Sequence, residues 1–344
     1  MARFLNLFSE KIAVDLGTSA TRIYLKDKGI LLDEPSLVAV NNRTDQIIAL
    51  GENALKMEEK SPLHIIVTRP IQHGVVVDFE VAEKMLRNML DKISRQTLFY
   101  KSRPTLISAV PLEVTEVEKK SLEDVISQMG VQKVYLVERP VAAAIGCKLA
   151  IQEPVANLIL EMGAGLTEIA VISLGGIVAW RSLKIGGDSL DNDLINYIRD
   201  QHGLMVGKKT AEELKIKISS LVIDKPLEMN VKGRDLNIGL PREIKITNEE
   251  VKAVILPSFR IILENIRETI QSAPPELVSD LYGRGMMLSG GCTLIPGFDN
   301  FIAKELKIPV HQTNEPATNL IRGLGYILED FDNLKEVIIP SAMD

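Results

Sequence analysis

Ala13-Val14-Asp15-Leu16-Gly17-Thr18-Ser19-Ala20-Thr21 and Leu160-Glu161-Met162-Gly163-Ala164-Gly165-Leu166-Thr167 carry one pattern twice. In each, an apolar strand reaches a single carboxylate and a tight Gly/Thr turn follows. A second strand-like run comes next, Arg22–Leu25 in one copy and Glu168–Leu174 in the other. Glycine lets backbone approach a ligand closely, and successive N–H groups in such a turn form a concavity for anionic oxygens. Asp15 and Glu161 supply hard oxygen donors, of the kind that hold a hydrated Mg²⁺ against phosphates. Two copies in one chain predict a duplicated domain that clamps one polyphosphate between its halves. A single copy would be an ordinary strand corner. A third stretch, Met286-Met287-Leu288-Ser289-Gly290-Gly291-Cys292-Thr293-Leu294-Ile295-Pro296-Gly297, adds another strand that runs into a Gly-Gly turn.

At 344 residues the chain exceeds what one hydrophobic core usually supports, which predicts two domains. A formal charge of −6 argues against a nucleic-acid-binding surface. Cys147 and Cys292 have neither metal nor disulfide spacing and suit a reducing compartment. His64, His73, His202 and His311 show no ligand spacing. No run reaches the roughly 18 consecutive apolar residues of a transmembrane helix. The N-terminal apolar stretch is too short for a signal peptide.

Strand and helix signals alternate along the chain, which predicts an α/β protein. Leu106–Val110, Val134–Val137, Leu158–Leu160 and Met286–Leu288 read as buried strands. Val81–Ile93, Glu116–Met129, Leu190–His202, Thr210–Ser219 and Asn248–Ser272 read as helices. In the last of these Val251, Ile255, Phe259, Ile262 and Ile266 recur at helical spacing and predict a core-facing side.

The three glycine turns, in this order, resemble those of the actin-like ATPases, and the chain is similar within them to the bacterial MreB family from about Ile12 to about Leu328. The segments that carry the likeness include Gly29–Ser36, Arg69-Pro70 with Gly74-Val75, Val114–Lys119, Pro140–Gly146, Ala170–Ile177, Thr210–Glu213 and Pro274–Leu277. Sugar kinases and heat-shock chaperones share the turns but not these connections. The resemblance implies an actin-like α/β fold of two duplicated ribonuclease-H-like subdomains around a nucleotide cleft, with two small inserted subdomains. It places the first lobe at 11–145 and 315–344, with an insert near 33–78. The second lobe falls at 146–314, with an insert near 203–247 whose edge is the polar hairpin Val231–Ile238. A hinge is expected near Ala142–Gly146 and Ile321–Tyr326, where Gly323 and Gly325 would relax a helix.

The cofactors implied are ATP and Mg²⁺, though no residue of the sequence reads adenine against guanine. Gly17, Thr18 and Ser19 would face the phosphates from one side, and Gly163, Ala164 and Gly165 from the other. Asp15 and Glu161 would serve the metal, and Thr167 would help position water. Gly290, Gly291 and Cys292 would lie against the adenosine. Glu212 and Lys215, one helical turn apart, would meet ribose and base; spacing alone equally suits a solvated ion pair.

Three departures from the family pattern stand out. A glutamate that polarises the attacking water ordinarily precedes Pro140, but here the order is Glu138-Arg139-Pro140. A guanidinium has no lone pair with which to accept a proton or orient water, although it can neutralise phosphate. Glu161 replaces an aspartate, which moves its carboxylate about 1.5 Å outward. Ala164 and Cys292 stand where glycine is usual. These departures predict that nucleotide binding is retained and hydrolysis weakened.

Residues 1–10 form a short amphipathic segment in which Phe4, Leu5, Leu7 and Phe8 gather between Arg3 and Lys11, in outline a membrane anchor. Leu98, Phe99 and Tyr100 lie between Arg95 and Lys101, where the family carries a membrane-insertion loop. A polymer would present many copies of both and gain avidity. The expectation is a cytoplasmic, actin-like cytoskeletal protein that forms filaments peripheral to the inner face of the cytoplasmic membrane. It would work with itself and with membrane proteins of cell elongation to organise wall growth and cell shape. The alternative is a specialised actin-like scaffold with little ATPase activity that positions an organelle or another structure. A small-molecule kinase would need an aspartate base for a sugar, and a chaperone would need a substrate domain; neither has a candidate in the sequence.

Overall fold

The computed structural model describes residues 11–97 and 103–339. The membrane-contact candidates Phe4, Leu5, Leu7, Phe8, Leu98 and Phe99 lie outside the described residues. The chain forms two compact units. One takes the chain up to Pro154, the short piece Ile172–Ile177, and everything from Thr318; the other takes Val155–Val171 and Val178–Ala317.

Each unit is organised by one sheet. The first is ordered β3–β2–β1–β4–β5–β11, from β1 (Lys11–Leu16), β2 (Ala20–Leu25), β3 (Gly29–Pro35), β4 (Thr105–Val110), β5 (Lys133–Glu138) and β11 (Ile338–Ile339). β1 pairs antiparallel with β2 and parallel with β4, and β4 is parallel to β5. The second is ordered β8–β7–β6–β9–β10, from β6 (Asn157–Met162), β7 (Thr167–Ser173), β8 (Gly176–Leu183), β9 (Met286–Ser289) and β10 (Val310–Gln312). β6 and β9 are parallel, as are β9 and β10. Three sequential strands, with two parallel strands next on the other side of the first, is the plan shared by both units, and the first adds β11 at its edge. The duplication suggested by the two turns is therefore a duplication of topology.

Central strands covered on both faces are continuously apolar rather than alternating. β6 and β7 are buried along their whole lengths, and β1 from Ile12 onward. Helix α1 (Phe79–Thr97) covers the first sheet with Ala82, Met85, Leu86, Met89, Leu90 and Ile93, spaced three and four apart. Capping boxes open α2 (Glu116–Ser127) at Thr115/Glu118 and α6 (Asn248–Ser272) at Thr247/Glu250. In α6 the five residues named from the sequence are all fully buried, with Phe259 edge-on to Phe298.

Two smaller sheets accompany the large ones. Val38–Asn41 is flanked by Gln46–Leu50 and Ile65–Thr68, and the short helix Glu52–Met57 packs Ala54 against Leu37 and Ala39. In the other unit Leu204–Met205, Glu228–Asp235 and Pro241–Thr247 form an antiparallel sheet. Its hairpin is longer than the Val231–Ile238 expected from polarity, and the turn falls where Gly239 takes a positive φ.

The glycines of the helix at 319–329 make room for close packing. Helix α7 (Asn319–Glu329) runs unbroken through Gly323 and Gly325. It crosses α3 (Arg139–Gly146) so closely that a Cβ on Gly323 would fall 1.7 Å from the Ala142 carbonyl oxygen. One on Gly146 would fall 1.8 Å from that of Asn319, and one on Gly325 would enter the Tyr24 ring. Close packing requires these glycines, against backbone at Gly146 and Gly323 and against the Tyr24 ring at Gly325. Because overpacking costs about 1–3 kcal/mol, Gly323→Ala is expected to lower the thermal midpoint by about 1–4 °C. Gly283→Ala, at an exposed helical position with nothing near its Cβ, should leave the midpoint unchanged or slightly raised. Equal behaviour of the two variants in thermal melts would contradict this account of Gly323.

Candidate functional site

The first turn is built by hydrogen bonds that leave little freedom. Gly17 N–H donates to the Ala20 carbonyl at 3.1 Å, and a Cβ on Gly17 would sit 2.7 Å from that same oxygen. Ser36, fully buried, donates its hydroxyl to the Gly17 carbonyl at 2.7 Å and its N–H to the Ser19 carbonyl at 2.9 Å. Thr18 is buried and accepts from Gly74 N–H at 3.4 Å, while Ser19 is exposed. The second turn repeats the first: Gly163 N–H donates to the Leu166 carbonyl at 2.9 Å.

Helix α4 (Gly187–His202) anchors that second turn. The opening N–H groups of a helix have no partner within it. Here Gly187 donates to the Gly163 carbonyl at 3.1 Å and Asp188 to that of Ala164 at 2.8 Å. Thr167, completely buried, donates its hydroxyl to the Ile185 carbonyl at 2.7 Å, so that oxygen faces any further partner as an acceptor.

Asp15 and Glu161, 3% and 4% exposed, stand just before the two turns. Asp15 lies directly across the β1–β2 pair from Arg22, whose guanidinium is 3.6 Å from one carboxylate oxygen and also bonds Asp33 at 3.0 Å. Arg139 Nη1 lies 3.4 Å from the other oxygen. Arg139 is 7% exposed and is the first residue of α3, where a cation works against the helix dipole. Its placement there is stabilised by Asp15. Two guanidinium groups on one carboxylate suit an ion-paired aspartate and do not fit one that ligates Mg²⁺. Among the described residues no group of three or more His, Cys, Asp and Glu is arranged to hold a metal. Glu138, the last residue of β5, is half-buried, and burial raises its carboxyl above the usual range.

On the other unit Lys215 is neither solvated nor paired to Glu212. It belongs to α5 (Lys208–Ile218), is 8% exposed, and places Nζ 2.8 Å from Asp191 of α4 and 2.9 Å from the Gly187 carbonyl. The Asp191 carboxyl is raised to about 6, mainly by burial and also by Glu212, against the lowering by Lys215, which places Glu212 in the same electrostatic neighbourhood. Gly290 takes φ +92°, and a Cβ there would meet the Met162 carbonyl oxygen at 2.3 Å. Gly291 and Cys292 open the 3₁₀ turn that follows. The Cys292 sulfur packs against Gly187 beside Lys215 Nζ, and burial pushes the thiol up to about 11, so it stays protonated at neutral pH. The turn at 163–164, the opening of α4, Lys215 and Cys292 thus form one tight cluster.

Sequence reasoning missed Arg22 and Asp191. Arg22 could have been found, since a turn centred on residues 17–20 sets Asp15 opposite it. Asp191 could not, because only the packing of α4 on α5 brings it to Lys215.

Removing one partner of a buried pair strands the other charge and typically costs about 3–5 kcal/mol. Lys215→Met is therefore expected to destabilise the chain by about that amount in chemical denaturation. Lys217→Met, whose Glu213 pair is exposed, should change stability by less than about 0.5 kcal/mol. Similar losses for both would contradict the structural importance of the Lys215–Asp191 pair.

Comparison with known proteins identifies the family. The family described as MreB/Mbl protein matches residues 9–336. The cell shape-determining protein Mbl of Bacillus subtilis (strain 168) is 37% identical over 329 residues, covering 95% of this chain and 98% of that protein. The cell shape-determining protein MreB of Escherichia coli (strain K12) is 36% identical over 337 residues, covering 96% and 97%. Among solved structures, MreB5 of Spiroplasma citri bound to ADP superposes with a TM-score of 0.90 at 33% identity, over 95% of this chain and 99% of that one. The same protein bound to AMPPNP gives the same TM-score. The fold is actin-like, and the chain belongs to the MreB/Mbl family.

Proposed function

We propose that this protein binds a nucleoside triphosphate, ATP as the family resemblance implies, and assembles into filaments at the inner face of the cytoplasmic membrane. One observation carries the nucleotide reading: the turn closed by Gly17 is built again at Gly163, each just after a buried carboxylate. The nucleotide-bound state of MreB5 supports it. Each turn is of the kind that holds phosphate oxygens, and nucleotide would act as a conformational ligand that favours the polymer-competent state. Membrane attachment rests on the amphipathic segment at 1–10 and the apolar tip Leu98-Phe99. Relatives that share more than a third of their residues with this chain are cell shape-determining proteins. This favours filaments that organise wall elongation with membrane partners over a scaffold that positions an organelle.

Hydrolysis is the step this chain carries out poorly. Arg139 occupies the water-positioning place, offers no proton acceptor, and is already committed to Asp15. Loss of one positioned acid–base group costs about 10²–10⁴ in rate. The purified protein, given Mg²⁺-ATP and anionic vesicles, is expected to pellet as polymer with negligible phosphate release, and Arg139→Glu to raise release. Wild-type turnover equal to that of a glutamate-bearing relative would contradict the weakened site. Failure to pellet under any nucleotide condition would contradict the filament reading.

A further inference from the structure

We propose that Arg139 is the resident cation of the first phosphate turn, so that this protein holds nucleotide phosphates without needing a divalent ion at Asp15. The inference deepens the nucleotide reading above and rests on it. An ion held through its water shell would need the space and the negative charge that Asp15 offers. Both are already taken. Arg139 covers one carboxylate oxygen at 3.4 Å and Arg22 lies 3.6 Å from the other. The side chains of Arg139 and Asp15 are 9% and 4% exposed, so water screens their interaction little.

Asp15 cannot release Arg139 cheaply. A carboxylate this buried needs a positive partner, and Arg22 is shared with Asp33 at 3.0 Å. A divalent ion placed beside Asp15 would sit close to two fixed guanidinium groups and be repelled by both. Arginine also stays charged at any pH at which the protein is folded, and its planar fork presents several donors to phosphate oxygens. Covalently attached to the start of α3 and packed against Gly74, the charge is present before nucleotide arrives. Loss of the glutamate and gain of a cation are then one change. The position that gave up water activation provides the charge that a bound metal ion would otherwise contribute.

The test is equilibrium binding of ATP to the full chain, once with Mg²⁺ and once with excess EDTA, for wild type, Arg139→Gln and Arg139→Lys. Wild-type affinity is expected to agree within about threefold between the two buffers, because the cation remains when metal is removed. Arg139→Gln should bind about 10–100-fold more weakly in EDTA than in Mg²⁺, the loss of charge-assisted bonds that the metal then replaces. Arg139→Lys, which keeps the charge, should resemble wild type; it also serves if the glutamine variant fails to fold. A wild type that binds in Mg²⁺ but loses tenfold or more in EDTA overturns the inference and leaves the nucleotide reading intact. No binding by folded wild type in either buffer overturns both.

Discussion

A buried carboxylate must find a positive partner, and in this chain the needs of Asp15 shape the start of the fold. Asp15 lies on β1, at the middle of the first sheet, with strands on both sides and helices over both faces. Its partners arrive from different levels of structure. Arg22 is delivered by the register of the β1–β2 hairpin, which is local. Arg139 is delivered by a parallel crossover through β4 and β5 to the start of α3. The close crossing of α3 on α7, glycine against backbone, then fixes where the helix begins. The ion pair, the crossing and the phosphate turn are consequently one mechanical assembly.

The two units answer the same problem differently. Both place a carboxylate before a turn closed by the same backbone hydrogen bond. In the first unit the positive charge reaches the carboxylate itself. In the second, the described ammonium, Lys215, goes to Asp191 and to the carbonyl at the start of α4. Lys215 thus stabilises the helix that holds the turn rather than the turn's own acid. Cys292 belongs to the same cluster: its sulfur and the Lys215 ammonium both lie close over Gly187. A larger residue than glycine is accommodated there because it packs inward on its own unit.

Local features of the fold were legible in the sequence. The repeated hairpins, the buried strands and the core face of α6 depend on periodicity and turn chemistry, which act between near neighbours. The helix spans differed only at their ends; α1, for instance, runs from Phe79 to Thr97 rather than from Val81 to Ile93. The departure at Arg139 was also legible, but its partner was not. A residue 124 positions from Asp15 meets it only because three parallel strands stack in order. The close packing at Gly323 was not legible for a related reason. Helix periodicity says that a glycine is present, and only the crossing helix says what its missing Cβ makes room for. The Lys215–Asp191 pair was likewise not legible, because Asp191 lies on another helix.

The central claim is that a fixed guanidinium, rather than a metal ion, completes the charge at Asp15. Crystals grown with AMPPNP and Mn²⁺, with diffraction recorded at the manganese edge, test it most directly. The account predicts nucleotide density at the first turn, Arg139 still paired with Asp15, and no anomalous peak beside that carboxylate. A manganese peak bridging Asp15 and the phosphates, with Arg139 turned away, would contradict it.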